Sequence, residues 1–381
     1  AEVVGLGPDY ALLAPMGQMQ GLSTSVAAIS LGRPQQVAVD DQLLGRVLDG
    51  MGNPLDGLPP LLDVAQRGVY AEPPNPLARP IIEHALPVGV RAIDGLLCCG
   101  VGQRMGIFAP AGCGKSTLLG MIARNANADI NVVALIGERG REVQEFIHDS
   151  LGTEGLKRSV MVVATSDRPA LERARAALVA TAIAEHFRDQ GKSVMLLVDS
   201  VTRYARALRE IGLAAGEPPT RRAFPPSVFS ALPLLFERAG MSERGSITAF
   251  YTVLEEGEDS DDPIAEEVRS LLDGHIVLSR KLAARNHFPA IDVLASVSRV
   301  MSRVAQADHR QTAAEARASL ARYQELEMLI RMGEYKPGSD ADADAAIQRN
   351  PGLNAFLRQD VWEHAAFNDT IARLSTAGQV R

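Results

Sequence analysis

At 381 residues the chain is long enough to bury sizeable cores in two or three domains. Its formal charge of −7 disfavours non-specific nucleic-acid binding, and no run of about eighteen apolar residues suggests a membrane span. Its three cysteines, Cys98, Cys99 and Cys113, include an adjacent pair and are odd in number, which points to a reducing cytosol rather than a disulfide framework.

The chain opens on Ala1, with no signal-peptide pattern. Its first residues already read as mid-domain strand, so a truncated protein is expected. Short β-prone runs at 10–14, 25–30 and 36–39 are cut by the turn dipeptides Asp49-Gly50 and Asp56-Gly57. They suggest the latter part of a small β domain. Pro73, Pro74, Pro76 and Pro80 then form a linker.

From about residue 85, strand-like runs alternate with helical patterns. The expected strands are 105–109, 131–136, 159–164, 194–198 and 246–253. A long helix is expected over 169–190, with Pro169 early and Gly191 just past its end. Such alternation predicts a largely parallel sheet covered on both faces, with ligands at the carboxyl ends of its strands. After residue 308 the strands stop. Leu320, Tyr323, Leu326, Leu329 and Ile330 recur at helical spacing, a second helix is expected over 361–374, and Pro337-Gly338 with Asp340 to Asp344 reads as the connecting loop.

The stretch MGIFAPAGCGKSTLL at 105–119 carries the strongest chemistry. An apolar strand, a turn of small residues and a helix start make a phosphate-binding loop. Its backbone N–H groups converge on an anion, and the helix dipole adds to them. Lys115 would reach the terminal phosphates of a nucleotide and Ser116 would serve Mg²⁺. Ala109 stands where such loops usually begin with Gly.

A second apolar strand ends in Asp199, the place from which a carboxylate serves Mg²⁺ beside such a loop. The next residue is Ser200 rather than Glu, so the group that orients the attacking water must come from elsewhere. Glu138, which follows the run 131–136, is the first candidate, and Glu142 is the weaker one. Alone, Arg299 reads as an ordinary solvated or ion-paired residue. The acidic run at 255–262 reads either as a solvated loop or as a surface for a basic central partner. His84, His148, His275 and His287 show no metal-ligand spacing and read as structural, and no cysteine spacing suits zinc.

Together these motifs make the chain resemble the type III secretion system ATPases, the injectisome members of the rotary ATP synthase catalytic-subunit superfamily. The resemblance runs from about residue 35 onward. Besides the phosphate loop it rests on LLGRVLDGMGNPLDG at 43–57, GERGREVQEF at 137–146 and LLVDSVTRYARALRE at 196–210. It also rests on GEPPTRRAFPPSVFSALPLLFERAG at 216–240, DDPIAEEVRSLLDGHIVLSRKLA at 261–283 and FPAIDVLASVSRV at 288–300.

The resemblance implies an α/β, RecA-like phosphate-loop core (73–307). Part of a small β-barrel with its linker (1–72) precedes it, and a helical C-terminal domain (308–381) follows. It implies ATP and Mg²⁺ as ligands. Gly112, Cys113, Gly114, Lys115, Ser116 and Thr117 would wrap the phosphates, and Ser116 with Asp199 would serve the metal. Glu138 would polarise water, Arg139 and Arg203 would support the site, and Phe288 would pack on adenine where Tyr is commoner. Arg299 would be an arginine finger entering the neighbouring subunit's site.

One chain then carries both catalytic and finger roles, which implies a homohexameric ring, although loss of barrel strands could leave the shortened chain monomeric. The implied partners are a central stalk protein, a peripheral stator protein, chaperone–effector complexes and the export gate. The implied location is the cytoplasmic face of the inner membrane. The nearest alternative is the flagellar export ATPase. A hexameric RNA translocase shares the core, but this chain is acidic and has no aromatic–basic RNA platform. A non-catalytic assembly subunit is disfavoured by Glu138.

Overall fold

The computed structural model describes residues 1–17, 21, 23, 25–255 and 262–377. Its strands, in chain order, are β1 (Glu2–Leu6), β2 (Ala11–Ala14), β3 (Gln36–Val39), β4 (Val47–Asp49), β5 (Ala65–Gly68), β6 (Arg104–Ala109) and β7 (Ile130–Ile136). They continue with β8 (Ser159–Ala164), β9 (Ser193–Asp199), β10 (Gly240–Met241), β11 (Ser246–Leu254), β12 (Gly274–Leu278) and β13 (Ile291–Ser298).

A nine-stranded sheet in the order β13-β12-β6-β11-β9-β7-β8-β4 dominates the described residues, with β10 paired to β11 off the main path. β4, β6, β7, β8, β9, β11 and β12 run parallel, whereas β13 lies antiparallel to β12 and β10 antiparallel to β11. The parallel strands are covered on both faces, so their sequences are continuous apolar runs rather than alternating ones; every residue of β7 and of β8 is buried. On one face lies the helix Ala170–Asp189, whose buried Ala174, Ala176, Ala177, Ala180 and Ala184 allow close approach to the strands. On the other lies the helix Lys115–Asn125, with Leu118, Leu119 and Ile122 in the core.

Several expectations need correction. Residues 26–30 form no strand; Val26 and Ile29 are exposed, so the run has no face to bury. β4, at 47–49, is already an edge strand of the central sheet, although it precedes the expected boundary at 72. β12 and β13 were not expected. Their burial alternates, which dilutes the apolar signal that exposes the inner strands.

At the C-terminal end the long helix Ala307–Met332 was expected, but the acidic stretch after Ser339 is not a loop. Asp340 caps a helix, Ala341–Leu357, accepting hydrogen bonds from the N–H groups of Asp342 (2.9 Å) and Ala343 (3.1 Å). Acidic side chains in its first turn complement the helix dipole. The last helix is Phe367–Ala377 and not 361–374. Residues 358–366 form an irregular connection with a turn at Val361 and Trp362.

Among the described residues no helix is long and apolar enough to cross a membrane. No described group of His, Cys, Asp and Glu forms a metal-binding cluster.

Candidate nucleotide site

β6 ends at Ala109, and the chain turns sharply into the helix Lys115–Asn125. The turn requires left-handed backbone at Gly112 (φ 81°) and Gly114 (φ 83°), which glycine adopts without a Cβ clash. A Cβ built on Gly112 would have no neighbour within 4 Å, so the loop faces open space. Gly114 is the N-cap, leaving the first N–H groups of the helix without intrahelical partners.

Because β7 and β9 run parallel to β6's neighbour β11, their carboxyl ends arrive at the same sheet edge. That edge carries the charged cluster. The Lys115 ammonium donates a hydrogen bond to Asp199 and lies 3.3 Å from Glu138 Oε1. Arg203, on the helix Val201–Ala214 that follows β9, pairs with Glu138 Oε2 at 3.2 Å. Thr252 Oγ1, on β11, donates to Asp199 Oδ1 at 2.8 Å.

Both carboxylates are buried, with Asp199 1% and Glu138 6% exposed. Burial is the main reason Glu138 is pushed up to about 7. A hydrogen bond with Glu142 and the charge of Asp199 act in the same direction, against Lys115 and Arg203. Glu142 moves down, chiefly because of the same hydrogen bond. Glu138 and Glu142 thus form a pair suited to holding a proton.

A cavity of about 570 Å³ opens beside the loop. Gly114, Thr117 and Leu118 form one side, while Phe288 and the connection Arg358–Val361 form the other. Phe288 is 38% exposed, and its ring would lie 3.7 Å from a Cβ on Gly114. An apolar wall next to a ring of loop N–H donors suits a nucleotide base attached to its phosphates.

The structure therefore brings Gly112, Gly114, Lys115, Glu138, Asp199, Arg203 and Phe288 to one sheet edge. Ser116 is exposed in the first turn of the loop helix and Thr117 lines the cavity. Cys113 is placed differently. Its side chain is buried in the core with a thiol raised by burial, so only its backbone faces the loop. The Arg139 side chain is 72% exposed and turns to Glu142 at 3.5 Å, outside the Lys115 cluster.

Arg299 lies at the opposite end of the sheet. It follows the last residue of β13, its N–H bonds to Asp273 O at 3.0 Å, and Asp273 in turn binds Arg104 at the start of β6. β6 is six residues long, which separates that end from the loop by about 17 Å at ~3.3 Å per residue.

Thr252 and the connection Arg358–Val361 escaped the sequence reading. Thr252 sits inside an apolar run, and the connection lies far along the chain, given no reading except at Val361, where a helix was expected to begin. Of the acidic run, Glu255 pairs with Arg269 at 3.0 Å and Asp262 caps the helix Pro263–Leu271; positions 256–261 lie outside the described residues.

A glycine loop at the carboxyl edge of a parallel sheet, with a lysine set against two strand-end carboxylates, defines a RecA-like phosphate-loop ATPase. Comparison with known proteins narrows the class. Residues 89–298 match the ATP synthase alpha/beta family, nucleotide-binding domain, and residues 305–376 match the T3SS EscN ATPase C-terminal domain. The chain is 58% identical over 376 residues to the type 3 secretion system ATPase of Xanthomonas euvesicatoria, spanning 99% of this chain and 85% of that protein. It is 53% identical over 378 residues to the flagellum-specific ATP synthase of Bacillus subtilis, spanning 99% and 86%.

Among solved structures, the assembled ATPase EscN of the enteropathogenic E. coli type III secretion system superposes with a TM-score of 0.96 at 52% identity, covering 99% of this chain and 92% of that one. EscN in complex with its central stalk EscO gives 0.85 at 54% identity, covering 91% and 84%. The chain belongs to the type III secretion ATPases of the ATP synthase alpha/beta family. It is an ATPase that energises type III secretion.

Proposed function

We propose that this chain hydrolyses Mg-ATP at subunit interfaces of a homohexameric ring. The observation that carries the site assignment is the Lys115 ammonium held between Glu138 and Asp199 at the mouth of the glycine loop. Lys115 and the loop N–H groups bind the phosphates. The base lies in the cavity against Phe288. Glu138, deprotonated and steadied by Arg203, takes hold of the attacking water and accepts its proton. Arg299 reaches the site of the neighbouring subunit and meets the charge that develops on the transferring phosphoryl group. Arg139, turned outward beside Glu142, supports the site from its rim.

The donor set fits a divalent ion: buried Asp199 already draws a cation, and a hydroxyl, Ser116, lies on the loop helix. Ser116 and Asp199 would hold Mg²⁺, which supplies neutralising charge to the phosphate oxygens.

Lys115→Ala tests the site. Turnover should fall below detection with the circular dichroism spectrum unchanged; near-normal turnover would remove the phosphate-loop assignment.

In the assembly, the proposed partners are a central stalk protein, supported by the EscN–EscO complex, and a peripheral stator protein. Chaperone–effector complexes and the export gate are the proposed targets, at the cytoplasmic face of the inner membrane, where hydrolysis releases chaperones and unfolds effectors. The identity of 53% to a flagellum-specific protein supports flagellar export as a second reading. Complementation of strains lacking one or the other ATPase separates the two. RNA should not stimulate turnover.

A further inference from the structure

The connection between the last two helices forms a strap, Arg358–Glu363, that walls the cavity opposite the glycine loop. One side chain ties it to the core. Gln359 is 5% exposed, and its amide is fully used. Oε1 accepts from Arg91 N at 2.8 Å, while Nε2 donates to Gly89 O and to Glu363 O, each at 2.8 Å. Its backbone N–H donates to Phe288 O at 3.0 Å. One residue thus joins three segments: the turn before the helix Arg91–Leu96, the strap, and the loop that presents Phe288.

Other groups hold the strap against the Arg91 helix and the loop helix. Arg91 binds Phe356 O at 2.7 Å and also binds Arg358 O and Glu363. Arg124, on the loop helix, reaches Val361 O and lies 4.2 Å from the Trp362 ring centroid. Gln359 links the strap to the Phe288 loop through its own N–H and to the core through its amide.

We propose that Gln359 is a positioning residue for nucleotide binding. It keeps the strap in register with Phe288, and so keeps the width of the slot that receives the base. The proposal rests on the reading of that cavity as the base pocket. Gln359 itself lines the cavity wall, but its polar atoms are spent on protein partners, so it acts through Phe288 and the strap. Two consequences follow. Loss of the amide weakens the binding of a nucleotide but not of its phosphates alone. Chemistry at Glu138, at the other side of the loop, proceeds at its usual rate once ATP is bound.

The test compares Mg-ATP turnover with inhibition by inorganic tripolyphosphate, which carries phosphates and no base. Gln359→Leu keeps most of the volume and removes the amide. Its KM for ATP should rise about tenfold, as expected for the loss of buried hydrogen bonds. Its kcat and its inhibition constant for tripolyphosphate should stay within about twofold. Gln359→Glu keeps the acceptor for Arg91 N–H and loses both donations; it should show the same split to a smaller extent, and it decides the matter if the leucine variant does not fold.

An unchanged KM in the folded variants overturns the proposal. So does an equal weakening of tripolyphosphate, which would place the effect in the loop or in the fold. Phe288→Ala separates the two layers of the argument. If it shifts ATP against tripolyphosphate and Gln359→Leu does not, the role of Gln359 fails and the base pocket stands. If Phe288→Ala shifts neither, the base pocket fails, and the proposal fails with it.

Discussion

Glu138 is the residue whose chemistry is most exposed to test. An unfolded glutamate titrates near 4.3, and here the group is pushed up to about 7, by burial first. Between about 4.3 and 7 the folded chain therefore holds a proton that the unfolded chain has released. The stability due to this group is full below that window and is lost as pH climbs through 7. Nucleotide-free protein should lose urea resistance relative to Glu138→Gln between pH 5 and pH 8.

The same ionisation should appear in catalysis. Because kcat/KM reports the free enzyme, its rising limb should lie near pH 7, and the residual activity of Glu138→Gln should lack it. A limb that persists in the variant would assign the titration to another group. Lys115, Asp199 and Glu138 were legible in the sequence because each follows or ends a buried apolar run, and parallel strands deliver such residues to one edge. The side-chain direction of Cys113 was not legible, since a loop residue's orientation depends on backbone angles that its identity does not reveal. The hydrogen bond between Glu138 and Glu142 was not legible, since Glu138 precedes the helix that carries Glu142 and no helical spacing relates them.

At the scale of elements, the inner strands were readable and the edges were not. β7 and β9 hold unbroken apolar runs, 132–136 and 194–198, while β12 carries His275 and β13 carries Asp292 and two serines. The helix Ala341–Leu357 was missed because its cap and acidic first turn, Asp340 to Asp344, read as connecting loop. That error concealed the strap, and with it one wall of the cavity.

The strap carries Trp362, the chain's single tryptophan, stacked on the guanidinium of Arg124 from the loop helix. Ligand entry between loop helix and strap bears on both partners of that stack. Mg-ATP should therefore change tryptophan emission saturably, with a midpoint near KM, and Trp362→Phe should be silent. Emission that stays constant at concentrations saturating turnover would place the nucleotide away from the strap.

For the whole molecule, the decisive feature is the reversal of direction at the sheet edge. β13 is antiparallel to β12, so Arg299 emerges at the amino end of β6, while the glycine loop emerges at its carboxyl end. No side-chain rotation carries a guanidinium across a separation of about 17 Å. If Arg299 takes part in hydrolysis, it does so in another copy of the chain, and each single variant should be almost inactive. Loss of such a finger costs on the order of 10³–10⁵ in rate. Mixing Glu138→Gln chains with Arg299→Ala chains should then restore part of the activity. Some interfaces in a mixed ring pair the intact Glu138 of one chain with the intact Arg299 of its neighbour. Recovery should rise with protein concentration and peak near equal proportions, because it requires assembly. Sedimentation of the mixture establishes ring formation, and exchange of labelled subunits establishes mixing. With both established, activity no greater than that of the separate variants would show that Arg299 does not act across the interface.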